Sequence, residues 1–203
     1  MLFAIRIYDK AGSRPLREVH RKAHLDYLKR FGAQTLFAGP FLTDDGGTEL
    51  GSLRLIEFPD RAAAEKHVAE EPYILGGLQE RPSIQRWSAS VPYTWRDCPR
   101  RKGNLQFYIH AMDKPGSGEL RDALRKEHQD YQASVEDIFI TRGPLLADEG
   151  GRQIGSLMII DVPGIGAARE FWAKEPFNRG GLFEKVEFYR WRFGRVFDRF
   201  GAA

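Results

Sequence analysis

The chain repeats itself, and that constrains its fold more than any other feature. Shifting the sequence by 104 positions (128 − 24 = 104) lays residues 3–88 over 107–192 without a gap, and 35 of those 86 positions are identical, where chance would give about five. Any architecture therefore has to be built twice from one unit. The retained positions differ widely in chemistry: Asp9/Asp113, Arg17/Arg121, Arg21/Arg125, His24/His128, Tyr27/Tyr131, Gly39-Pro40/Gly143-Pro144, Ser52/Ser156, Glu71-Pro72/Glu175-Pro176 and Trp87/Trp191.

Hydrophobic period gives the content of one copy. Residues 2–9 read as a strand, and 15–31, with Leu16, Val19, Ala23, Tyr27 and Phe31 at helical spacing, as a helix that starts after Ser13 and stops at Gly32. Residues 34–41 and 51–58 form a hairpin across Asp44-Asp45-Gly46-Gly47. An Ala-rich helix over 60–70 with Asp60 as N-cap, a turn at 72–78 and a strand over 82–87 complete the copy. The order β-α-β-β-α-β is that of a ferredoxin-like α+β unit. A four-stranded sheet with helices on one face leaves the other bare, so the expected solution is an intrachain pseudo-dimer of two tandem domains, of dimeric α+β barrel type. The domains are read as 1–88 and 105–203, the second with a C-terminal extension. The Pro- and Arg-containing stretch 89–104 is the linker. A further homodimer is compatible with this arrangement.

The balance of 31 basic and 28 acidic residues, a formal +3, is too mild to call for nucleic acid or an anionic membrane. The C-terminal run from Phe188 to Phe200 interleaves aromatics with arginines. The third strands, however, are aliphatic and lack the glycine-aromatic signature of an RNA-binding sheet, so no nucleic acid is expected. No apolar run approaches a membrane span, and the N-terminal apolar stretch reads as a strand. The single cysteine, Cys98, excludes an internal disulfide and fits a cytoplasmic setting.

On a helix, Arg17, Arg21, His24 and Tyr27 share one face, and so do Arg121, Arg125, His128 and Tyr131. Neighbouring arginines disfavour an imidazolium, which keeps His24 available as a neutral base. Asp26 points elsewhere on the helix, so the carboxylate orienting His24 must come from another element. Asp9 and Glu71 are the two candidates, with Asp113 and Glu175 their counterparts in the second copy. The arginines can grip a carboxylate, phenolate or enolate. Ser52 and Ser156 enter strands rather than helices and read as hydrogen-bonding residues, not nucleophiles. His20 and His24 have metal-ligand spacing, but Leu124 replaces His20 in the second copy, so no metal is expected. The paired glycines are followed by no phosphate-loop lysine.

Taken together, Arg21-x-x-His24-Leu25, Gly39-Pro40, Gly51-Ser52, Glu71-Pro72-Tyr73 and Gly77-Leu78 resemble the YciI-like (YCII-related) family, and both halves match over essentially their whole length. The resemblance implies a ferredoxin-like barrel with a His/Asp-centred site per protomer and lyase or dehydrochlorinase-type chemistry. His24 and His128 match the family histidine, and Arg21 and Arg125 the arginine before it. Glu71 and Glu175 stand where the family usually has aspartate, and the longer arm favours Asp9 as the partner of His24. The expected function is acid-base catalysis without a cofactor on a small anionic molecule, with His24, Asp9, Glu71, His128, Asp113 and Glu175 catalytic. Arg17, Arg21, Tyr27, Ser52, Arg121, Arg125, Tyr131 and Ser156 are the expected substrate contacts. The alternatives are a non-catalytic metabolite-binding or regulatory module, and an interaction protein acting through its basic-aromatic tail.

Overall fold

Alternation decides the first strand. In β1 (Leu2–Asp9) Phe3, Ile5 and Ile7 are fully buried and share one face. Against that face lie Ala64 and Val68 of a helix and Ile56 and Phe58 at the end of a neighbouring strand. The computed structural model of the protein describes residues 1–199, the side chains of Arg81 and Arg199 excepted. The chain forms two units, Met1–Trp87 with the segment from Trp191 onward, and Ser88–Arg190.

In unit 1, β1 is followed by α1 (Arg14–Lys29), β2 (Thr35–Leu42), β3 (Glu49–Glu57), α2 (Arg61–Ala69), the single-turn α3 (Pro72–Leu75) and β4 (Gln79–Trp87). The sheet order is β4-β1-β3-β2, antiparallel throughout. Unit 2 repeats the pattern with β5 (Leu105–Asp113), α4 (Gly118–Ser134), β6 (Phe139–Leu146), β7 (Gln153–Val162), α5 (Ile165–Lys174), α6 (Pro176–Arg179) and β8 (Phe183–Trp191), in the order β8-β5-β7-β6. Its core packs Phe107, Ile109, Met158 and Ile160 against Ala168 and Phe171.

The expected elements are present with shifted ends. Asp60 caps α2, its carboxylate accepting from the Ala63 amide at 2.8 Å. α1 stops at Lys29, because Gly32–Gln34 form a turn of 3-10 helix instead of continuing it. β4 begins at Gln79 rather than Pro82. The ladder with β1 slips between Arg6↔Ser83 and Tyr8↔Glu80, and at such an irregularity the missing N–H of Pro82 forfeits no bond.

The segment after Trp191, expected as an extension of the second domain, packs within unit 1. The Gly194 amide donates to the Ala38 carbonyl at 2.9 Å, and Val196 is buried with Tyr27, Leu28 and Ala38. Unit 2 has the equivalent: Ser88 and Ser90 donate to the Pro144 and Arg142 carbonyls at 3.1 and 2.8 Å. This contact explains the repeated Gly-Pro pair. A Cβ on Gly39 would overlap the Arg192 carbonyl oxygen, and one on Gly143 the Ser88 carbonyl oxygen. Gly39→Ala is therefore expected to lower unfolding free energy by about 2 kcal/mol through displacement of the Arg192–Val196 segment. Gly164→Ala, where a Cβ meets nothing, should be near neutral. Equal urea midpoints for the two variants would refute the assignment. Among the described residues no helix is long and apolar enough to cross a membrane.

Candidate functional site

Strand register brings the first charged group into the core. The pairs Phe3↔Ile56, Ile5↔Arg54 and Ile7↔Ser52 put Ser52 and Arg54 on the helix-covered face of β3. Arg54 is 2 % exposed there. At the α2–α3 junction Pro72 begins a new turn and leaves Glu71 extended (φ −71°, ψ 124°), its side chain wholly buried. Glu71 Oε1 meets His24 Nδ1 at 2.6 Å. Arg54 Nη2 lies 3.4 Å from Glu71 Oε2, an ion pair that falls short of hydrogen-bond geometry. Arg54 Nη1 is 3.0 Å from His67 Nε2. A guanidinium can only donate, so that nitrogen of His67 is the acceptor and the ring is neutral. The His24 ring is stacked on Tyr73, with centroids 3.9 Å apart and 12° between planes.

These contacts set the protonation states. Burial would raise the Glu71 carboxyl, but Arg54 and the His24 hydrogen bond overcome it and bring it down to about 2. The carboxylate is therefore ionised and takes the Nδ1 proton of His24. Burial, opposed by Glu71 and assisted by Arg54 and Arg17, lowers the His24 pKa. The direction matches the sequence expectation, although burial outweighs the arginines. His24 thus holds a neutral imidazole whose Nε2 is left for the adjoining cavity.

That cavity, about 50 Å³, is lined by the apolar Leu25, Leu28, Ala38 and Val196 and by the charged Arg17, Arg21, Glu49, Arg192 and Arg195. Five of its residues, Arg17, Arg21, Glu49, Arg192 and Arg195, also line a hollow of about 450 Å³. The arginines are not equivalent. Arg17 is held by Asp9 through Nε–Oδ2 at 2.5 Å and Nη2–Oδ1 at 2.8 Å, and its Nη1 is 2.9 Å from Glu49. Arg192 also pairs with Glu49. Arg21 has as its close partner Glu18, 2.5 Å away and 75 % exposed, a contact that water competes with.

Unit 2 keeps the pair and changes its surroundings. His128 Nδ1 meets Glu175 Oε1 at 2.5 Å, and the ring stacks on Phe177 with centroids 3.9 Å apart. Glu175 Oε2 accepts from the Asn178 amide at 2.8 Å. Arg121 is bidentate to Asp113 at 2.6 Å and reaches Ser156 Oγ at 3.3 Å. Met158 and Phe171 occupy the positions of Arg54 and His67.

The family model of the YCII-related domain matches residues 1–88 and 105–192. The chain belongs to the YCII-related domain family. This YCII-related chain is similar to the solved structure of 5-chloro-2-hydroxyhydroquinone dehydrochlorinase from Burkholderia phenoliruptrix in complex with 2,5-dihydroxybenzoquinone. Identity there is 30%, coverage is 43% of this chain and 94% of that one, and the TM-score is 0.42. A mutant chlorite dismutase from Candidatus Nitrospira defluvii is 7% identical over 98% of this chain and 93% of its own, with a TM-score of 0.65. That likeness shows the fold alone, and such neighbours are dimeric α+β barrel proteins. No curated protein matches the sequence.

The residues expected from the sequence separate into three groups in the YCII-related chain. His24 with Glu71 and His128 with Glu175 come together, and Arg21, Ser52, Arg125 and Ser156 line the same cavities. Asp9 and Asp113, expected as catalytic and Asp9 favoured as the histidine partner, instead clamp Arg17 and Arg121. The salt bridge eight residues along the chain satisfies both aspartates at the strand ends. Tyr27 and Tyr131, expected as substrate contacts, donate at 2.9 Å to the His67 and Phe171 carbonyls and line neither cavity, so they tie helix to helix. His20 packs beside Gly76, and among the described residues no three of His, Cys, Asp and Glu converge as a metal site would need. Cys98 is buried, which pushes its thiol up to about 11. Arg54, His67, Glu49 and the tail residues Arg192, Arg195 and Val196 were missed. Arg54 interrupts the apolar run Leu53–Ile56, and His67 sits on the Ala64–Val68 face of α2, which is the signal that marks both.

Proposed function

We propose that the protein is a small-molecule enzyme in which His24, held by Glu71, removes a proton from a planar anionic substrate in the unit 1 cleft. The observation that carries this is the His24 Nδ1–Glu71 Oε1 contact, which leaves Nε2 unprotonated beside a cavity lined by both apolar side chains and guanidinium groups. Arg21 binds the substrate anion, and Leu25, Leu28 and Val196 take its flat apolar face. In the reaction the substrate proton passes to Nε2. The electron pair it leaves moves into the substrate and either expels a leaving group as its anion, an elimination of the lyase or dehydrochlorinase type, or reprotonates elsewhere, an isomerisation. Glu71 stabilises the imidazolium that forms. Glu71 and Asp9 are positioning residues, the latter through Arg17, and the pair His128–Glu175 offers the same groups in unit 2. The intrachain pseudo-dimer of ferredoxin-like copies, and a cytoplasmic setting, belong to the same proposal.

The test is a panel of small phenolic and hydroxyquinol acids with and without halogen, followed by halide release and ultraviolet absorbance. His24→Asn is expected to lower turnover of any active compound on the order of a hundredfold, with circular dichroism and urea midpoint retained. An active compound turned over equally by the parent and by His24→Asn/His128→Asn would end the proposal.

A further inference from the structure

We infer that the cleft of unit 2 is a binding site for a compact, hydrophilic oxyanion, a different class of ligand from the planar anion of unit 1. The inference rests on reading both histidine clefts as ligand sites, and adds that they have diverged. Three wall positions change together: Leu25, Leu28 and Ala38 of unit 1 correspond to Gln129, Gln132 and Arg142. The carboxylate of the unit 1 wall is replaced as well, while Arg192 and Arg195 have Ser88 and Val91 as their counterparts. Where Glu49 pairs with Arg17 and Arg192, unit 2 has the neutral Gln153, whose Oε1 accepts from Arg125 Nη1 at 3.4 Å, and the carboxylate paired with Arg125 is the largely exposed Asp122 on its own helix.

Arg142 decides the class of ligand. Its guanidinium lies over the Phe139 ring, 5.1 Å from the centroid, and Nη1 donates to Gln132 Oε1. Its Nε is shut off from solvent with no hydrogen-bond partner among the described residues, and Glu136 is the carboxylate whose charge acts on it. A guanidinium carries five N–H donors in a planar fork, and leaving them unmet in a half-buried place is costly. An oxyanion in the adjoining cavity of about 110 Å³, which Arg121, Arg125 and Arg142 line, supplies counter-charge and acceptors for the guanidinium N–H groups that reach the cavity, the enclosed Nε of Arg142 not being among them. A flat apolar face there would meet Gln129 and Gln132 in place of the two leucines that line the unit 1 cavity. A free phosphate and a short carboxylate share the required chemistry.

Calorimetric titration of the full chain with inorganic phosphate, with malonate, and with 4-hydroxybenzoate as the planar probe tests this. Phosphate or malonate is expected to bind at one site. Arg142→Ala, which installs the residue of the equivalent unit 1 position, should weaken that binding at least tenfold, and Gln153→Glu, which restores the unit 1 carboxylate, should weaken it too. Arg21→Ala should leave it unchanged while weakening 4-hydroxybenzoate. Oxyanion binding that survives both unit 2 variants, that falls equally in Arg21→Ala, or that is absent for both anions would overturn the inference. If 4-hydroxybenzoate still depends on Arg21, the unit 1 reading stands regardless.

Discussion

Arg54→Met is expected to lower the unfolding free energy of unit 1 by about 3–5 kcal/mol at neutral pH, the usual cost of removing one partner from a buried ion pair. Arg54 and Glu71 are 2 % and 0 % exposed, so neither charge can fall back on water when the other is deleted. The substitution also takes the only described donor from His67 Nε2. Methionine itself is not foreign to the place, since Met158 stands there in unit 2. It packs in one cluster with Phe171 instead of a histidine, and Glu175 is supported by the Asn178 amide. The double variant Arg54→Met/His67→Phe copies that lining. It should recover at least about 1 kcal/mol, the cost of the stranded ring nitrogen, while Glu71 remains without its cation. Urea titrations with unchanged m-values give both numbers. A loss under about 1 kcal/mol in the single variant would mean that Glu71 does not depend on Arg54.

The same two residues show where sequence reading stops. The repeat gave the order of elements, because period and turn chemistry are local and were present twice. It also pointed to His24, His128, Arg21 and Arg125. Filtering by retention, however, discards whatever one copy invented, and Arg54 and His67 face Met158 and Phe171 across the alignment. The choice between Asp9 and Glu71 turned on geometry that spacing does not carry. A bidentate contact with Arg17 removes Asp9 from competition, and one extended residue ahead of Pro72 turns Glu71 inward. The tail was legible as basic and aromatic but not as to place: Gly194 lies along β2, and the reason is a glycine at position 39 that only a close backbone neighbour requires.

Acid is expected to destabilise unit 1 well before ordinary carboxylate titration begins. Burial, reinforced by Arg54, depresses His67 from its usual 6.5 to about 3. Between those values the unfolded chain binds a proton that the folded ring refuses, so stability falls as pH drops through that window. The difference amounts to about 3 kcal/mol between pH 7 and pH 4. His24, also lowered, works in the same direction. Glu71 follows in its own window. With its folded value at about 2 against the usual 4.5, its contribution is full above 4.5 and is lost as pH falls toward 2, adding about 2 kcal/mol by pH 3. In unit 2 Phe171 replaces His67, so that titration is absent there. Urea unfolding followed through amide resonances of β1 and β5 should therefore show β1 losing stability first between pH 7 and pH 4. His67→Phe should flatten the β1 profile by about 3 kcal/mol over that range, whatever it does to absolute stability at pH 7. An unchanged slope in that variant would show that the buried His67–Arg54 contact does not govern the acid response of unit 1.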